Sequence, residues 1–146
     1  MAATQHDWRA LRAVLALAAA LCYAGHVSAQ DPRASLAQEA ARAWLAHTDR
    51  GDATASWNDA GKQFRNAITV ERWAQSLNRV RPPLGAVSQR ALLKTQFRKT
   101  FPGAPDGEYA VVVFRTTFAK KANASETVTL EHESDSAWRV VGYFVQ

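Results

Sequence analysis

The sequence predicts an α+β domain in which three N-terminal helices pack on a four-stranded antiparallel meander sheet. Three observations predict it. From Asp31 to Arg81 apolar residues recur three and four apart, the period of a helix with one buried face. Pro82-Pro83 then interrupts that pattern. From Ala86 onward the chain is rich in β-branched and aromatic residues between clusters of turn formers, which reads as sequential strands joined by short connections. A run of helices followed by a run of strands gives a sheet with helices on one face.

Asp31-Pro32 supplies an N-cap followed by proline at the first helical position. Leu36, Ala37, Ala40, Ala41, Trp44, Leu45 and Thr48 form the apolar stripe of this first helix, and Gly51 can take the left-handed conformation that stops it. A second, short helix covers Ala53 to Ala60 and carries Trp57, with Gly61 as its break. Phe64 and Ile68 fall on a brief helical or irregular piece. Thr69 caps the third helix, Glu71 suits the positive end of its dipole, and Val70, Trp73, Ala74, Leu77 and Val80 form its stripe. Pro82-Pro83 is expected to end it, because proline lacks an amide hydrogen and disfavours helix in the residue before it.

The four strands run from about Ala86 to Thr100, Glu108 to Ala119, Thr127 to Glu133 and Trp138 to Val145. The connections are Pro102 to Gly107, a loop holding Ala122-Asn123-Ala124, and the turn Ser134-Asp135-Ser136. Plain alternation puts Ser88, Arg90, Lys94, Gln96 and Arg98 on one side of the first strand, as suits an edge strand guarded by charge. It also leaves two strands apolar on both faces. On the second strand Tyr109, Val111 and Val113 oppose Val112, Phe114 and Phe118; on the fourth, Trp138, Val140 and Phe144 oppose Val141, Tyr143 and Val145. Helices on one side cover one of these faces, so the other must curl inward, be covered by the chain or meet a partner.

Residues 1–29 read as an export signal. Arg9 and Arg12 precede an unbroken apolar and small-residue run from Ala13 to Ala24, and Val27-Ser28-Ala29 offers the small residues that signal peptidase reads, which places the cut between Ala29 and Gln30. The run is shorter than the roughly 20 residues of a spanning helix, so no stable membrane anchor is expected after cleavage. Cys22, the one cysteine, lies in this segment behind Leu21, where a lipoprotein would need a small residue. Removing 29 of 146 residues leaves 117, enough for a single α+β domain over residues 30–146. The expected destination is the periplasm or the medium, and the mature chain is free of cysteine, which excludes thiol catalysis, thiolate metal sites and redox chemistry there.

Of 18 Lys and Arg against 13 Asp and Glu, Arg9, Arg12 and Asp7 leave with the signal, so 16 face 12 and the mature charge is +4. Arg79-Val80-Arg81, Arg98-Lys99 and Lys120-Lys121 are too short and scattered for a nucleic-acid stripe, and no nucleic-acid partner is expected. His47 and His132 lie in different elements. Glu131-His132-Glu133 alternates in a strand, so only the two glutamates share a face and no metal site is expected. No Gly-rich phosphate loop, nucleophile elbow or zinc-protease motif is present, and no catalytic residue or cofactor is assigned. Ser56 and Asp59 have the spacing of a helix cap. Arg50-Gly51-Asp52 spells an adhesion tripeptide but is explained by a helix end. The aromatic residues are the feature above background. Most belong to the core, but a curved sheet can also enclose a pocket, with Trp57, Phe64, Trp73 and Tyr143 as its walls.

Several stretches carry a family resemblance. They are Trp44-Leu45 through Gly51-Asp52 to Ser56-Trp57, Pro83-Leu84-Gly85, Pro102 through Tyr109, Glu126-Thr127-Val128-Thr129-Leu130, and Trp138-Arg139-Val140 with Gly142-Tyr143. In this order they resemble domain-of-unknown-function family 4019, a family of exported bacterial proteins, over nearly all of the mature chain. Ala53-Thr54 stand where that family usually has an aromatic residue. The resemblance implies export, an α+β cone of the nuclear-transport-factor-two or cystatin-like kind, and no established activity or catalytic residues.

Three function classes stand open. The first is a non-enzymatic exported module that binds a small apolar ligand or a protein. The second is a cone-fold enzyme that moves a proton with one group in a dry pocket, for which Glu131 or His132 would serve. The third is a structural homodimer built through the sheet.

Overall fold

The computed structural model describes residues 31–146; the expected export signal and its expected cleavage site lie outside the described residues. Four helices precede four strands: α1 (Pro32–Asp49), α2 (Ala53–Asp59), α3 (Lys62–Ala67), α4 (Val70–Leu84), β1 (Val87–Arg98), β2 (Tyr109–Phe118), β3 (Lys121–His132) and β4 (Trp138–Val145). Among the described residues the helix count is therefore four, where the sequence suggested three. The addition is α3, one and a half turns around Phe64, begun by Gly61 in an extended conformation and ended at Ile68.

The caps at Asp31 and Thr69 are those the sequence indicates, and Asp52 adds a third. The Asp31 side chain accepts from the Arg33 amide, Asp52 from Ala55 and Thr69 from Arg72, each satisfying a donor that the first turn leaves free. Gly51, at φ +71°, follows the end of α1. The S-x-x-D spacing is not a cap, however. Asp52 caps α2, while Ser56 sits buried inside it with its hydroxyl donating to the Asp52 and Ala53 carbonyls.

Proline does not end α4. The helix runs through Pro82 and Pro83 to Leu84 and stops at Gly85, φ +77°, whose amide donates to the Arg81 and Pro82 carbonyls. The two prolines sit in the last turn. The carbonyls that lose donors there, on Asn78 and Arg79, belong to exposed residues that water reaches. The chain beyond is held by Lys120 and Ala119 amides on the Leu84 and Ala86 carbonyls. Arg81 thus remains helical although a proline follows it.

The sheet order is β1-β2-β3-β4, antiparallel throughout, with β1 and β4 at its edges. Ala122-Asn123-Ala124 belongs to β3 and not to a loop, because the β2–β3 turn is as tight as Ala119-Lys120. Bulges decide which residues face the helices. In β1 the register shifts between Leu92 and Lys94, so Arg90 and Leu92 share a face with Thr95 and Phe97, while Lys94, Gln96 and Arg98 face away. Plain alternation had grouped Arg90 with those three. In β4 a shift against Thr129-Leu130 puts Trp138, Val140, Tyr143 and Val145 on the helix side and leaves Phe144 outside, 57% exposed.

The core lies between the helices and this inner face. Ala37, Ala41, Trp44 and Leu45 of α1, Phe64 of α3 and Trp73 and Leu77 of α4 meet Ala110, Val112, Phe114, Val128, Leu130, Trp138 and Val140 of the sheet. Leu36 is 57% exposed, because the buried stripe of α1 centres on Ala34, Ala37, Ala41, Leu45 and Thr48 and Leu36 lies a third of a turn away.

Candidate functional site

Two side-chain clusters and a cleft lie where α1, α4 and β4 converge. The first cluster is aromatic. Trp44 and Trp73 lie 5.7 Å apart by ring centroids, and Phe64 stands edge-on to Trp73 at 5.1 Å. Tyr143 stands edge-on to Trp44 at 5.3 Å. Such edge-to-face contacts add to the area buried. The polar atoms point at fixed partners: the Trp44 indole donates to the Ser56 carbonyl at 2.7 Å and the Trp73 indole to the Ser56 hydroxyl at 2.8 Å. Of the four suggested pocket walls, Phe64, Trp73 and Tyr143 come together here. Trp57 stands apart, partly buried, its indole on the Ile68 carbonyl at 2.8 Å.

The second cluster is ionic, and reading the sequence missed it. Glu126 of β3 is fully buried. Its carboxylate accepts from Arg90 Nε at 2.7 Å, from Arg81 Nη1 at 3.2 Å, from the Tyr143 hydroxyl at 2.7 Å and from the Thr116 hydroxyl. Asp49, at the end of α1, accepts from both arginines at 2.7 to 2.8 Å. Two carboxylates balance two guanidiniums, and each buried charge has at least one oppositely charged partner within hydrogen-bond distance. Six elements meet in this cluster: α1, α4 and all four strands. Burial, together with the Glu126 charge, pushes the Tyr143 hydroxyl well above its ordinary pKa, so the ring keeps its proton. The Arg81 guanidinium also stacks 4.8 Å from the Phe118 ring.

Tyr143 joins the clusters, its ring among the aromatics and its hydroxyl on Glu126. Beside it opens an apolar cleft of about 200 Å³, lined from α4 by Trp73, Ser76, Leu77 and Val80 and from β4 by Tyr143, Phe144 and Val145. Val80 and Phe144 are exposed at its rim. A larger groove of about 580 Å³ runs between α1, the α2–α3 corner and the β3–β4 turn. Three of its six charges are spent on one another: Arg139 pairs with Glu133 and Asp135, holding the Asp135 carboxyl down to about 2, and Glu133 also caps α3 at the Lys62 amide.

The remaining candidates are placed as follows. His47 Nε2 lies 2.6 Å from Asp59, and its Nδ1 accepts from Arg50 at 2.8 Å, which puts the ring proton on Nε2. The Arg50-Gly51-Asp52 tripeptide is engaged at both ends, Arg50 by His47 and Asp52 as the cap of α2. His132 packs 4.9 Å from Trp138 with Nδ1 3.3 Å from Glu108, and Glu131 sits in the row facing away from the helices. Among the described residues no three His, Cys, Asp or Glu side chains are grouped to hold a metal ion, and no helix is long and apolar enough to cross a membrane.

No curated protein and no solved structure matches the chain. A family model does match, over residues 40–143, and so takes in both clusters and most of the cleft wall. By that match, which spans more than two thirds of the sequence, the chain belongs to the family described as "Protein of unknown function (DUF4019)".

Proposed function

We propose that this protein is an exported, non-enzymatic binding module, cut between Ala29 and Gln30, and that the α4–β4 cleft takes one small apolar group. That group is a benzene- or indole-sized ligand, or an apolar side chain of a protein partner. The observation that carries the reading is the chemistry of the cleft wall. Trp73 and Tyr143 turn their polar atoms inward, to Ser56 and Glu126, and present ring surface to the cleft. Leu77, Val80 and Val145 complete an apolar lining with Ser76 as its polar exception. An apolar cavity of about 150 Å³ is enough to hold benzene. The nearest charged groups, Glu126 and Arg81, are consumed by one another and offer no free acid or base for proton transfer.

Titration of the 15N-labelled protein with indole tests this. Amide shifts should concentrate at Leu77, Val80, Tyr143 and Val145 and saturate, and Val80→Trp, which fills the cleft, should abolish them. Shifts scattered over the surface, or unchanged in the Val80→Trp protein, would refute the assignment.

A further inference from the structure

The face of the sheet turned away from the helices has a charge pattern that the cleft does not explain. Its open rows run Gln96–Val111–Thr129–Gly142, Lys94–Val113–Thr127–Phe144 and Ala91–Arg115–Ser125, and the end row Arg98–Tyr109–Glu131–Arg139 is partly roofed, its Tyr109 buried against Phe101 and the Pro105 carbonyl. Lys94, Arg98 and Arg115 stand on this face, Lys99 follows at one end, and Lys120 and Lys121 stand at the β2–β3 turn at the other. None of these six makes an ion pair among the described residues. Glu131 is the one acidic residue in these rows, and Arg139 is turned to Glu133 and Asp135. The other carboxylates sit on the helices, in the loops or, as Glu126, inside. Two apolar side chains stand out among the cations: Leu93 at the β1 bulge, 49% exposed, and Phe144 in the Lys94 row, 57% exposed.

We propose that this face docks on a membrane leaflet bearing anionic phospholipids. Unpaired cations spread along strands that rise about 3.3 Å per residue match an array of phosphate headgroups, which attracts each basic side chain within a Debye length. Apolar tips between cations are what an interfacial contact uses, entering the headgroup boundary while the charges stay at phosphate level. An acidic protein would satisfy the cations but leave Leu93 without a role. The helices then face away from the bilayer, and the α4–β4 cleft, with Phe144 on its rim, opens at the β4 edge of the docked face.

Flotation of residues 30–146 with vesicles tests the proposal. The protein should float with vesicles of 40% phosphatidylglycerol in phosphatidylcholine at 50 mM salt and not with pure phosphatidylcholine. Lys94→Gln with Arg115→Gln should weaken binding about 25-fold, at about fivefold per cation removed. Lys62→Gln, on the helix side, should bind as the unaltered protein does. Leu93→Ser should show its loss most clearly at 300 mM salt, where charge is screened. Absence of flotation with the anionic vesicles, or equal flotation by the double glutamine variant with its circular dichroism unchanged, would overturn the proposal.

Discussion

The aromatic cluster and the ionic cluster lie side by side, share Tyr143 and do the same architectural work by opposite physics. Trp44, Phe64 and Trp73 tie α1, α3 and α4 together by burying ring surface, an interaction without strict direction that tolerates small shifts. Asp49, Arg81, Arg90 and Glu126 tie α1, α4, β1 and β3 through directional bonds between charges taken out of water. The difference teaches where this fold is uniquely specified. An aromatic contact can be remade one rotamer away, whereas a buried carboxylate with five donors, the four above and Arg90 Nη2 at 3.3 Å, has one arrangement that satisfies them. The ionic cluster therefore fixes how α4 sits on the sheet, and with it the shape of the cleft beside Tyr143.

Removing one partner from the ionic side should have the largest effect. Glu126→Ala leaves Arg81 and Arg90 buried beside a single carboxylate, and urea denaturation should show a loss of about 3–5 kcal/mol. Tyr143→Phe sharpens the comparison, because it keeps the ring among the aromatics and deletes only the hydroxyl, which donates to Glu126 at 2.7 Å and accepts from Arg81 at 3.3 Å. The expected cost is about 1.5–3 kcal/mol, that of a hydrogen bond to a charged group. It also carries a pH signature. The folded protein holds the Tyr143 proton above the ordinary value of 10.0, while the unfolded chain releases it there. The stability contributed by the hydroxyl is thus whole below pH 10 and declines as pH rises through and beyond it. Unfolding curves recorded from pH 7 to 11 should fall less steeply for Tyr143→Phe than for the unaltered protein above pH 10.

The same contrast explains what could be read in advance. The aromatic side was legible: Trp44, Trp73 and Leu77 keep helical period, so their burial follows from spacing. The strand order, the caps at Asp31 and Thr69 and the stop at Gly51 were also legible, because each rests on a residue type with a local reason. The ionic side was not. Arg90 reaches Glu126 because the bulge at Leu93 re-aims the first half of β1, and a bulge leaves no mark in an alternating pattern. Arg81 is in place because α4 survives Pro82, which the local preference of proline argues against and the ties beyond Gly85 permit. Glu126 follows plain alternation and shares a face with Val128 and Leu130. A glutamate on an apolar face was thus a readable signal that a buried cation partner had to exist.

The central claim, that the buried charges act as one coupled unit which sets α4 on the sheet, is tested most directly by a double-mutant cycle on Arg90→Met and Glu126→Leu. Equilibrium urea unfolding of the two single variants and the double should show a coupling energy above about 1.5 kcal/mol, with the double variant more stable than Glu126→Leu alone. Losses that add to within about 0.5 kcal/mol would show that Arg90 and Glu126 do not act on each other, and would contradict the account.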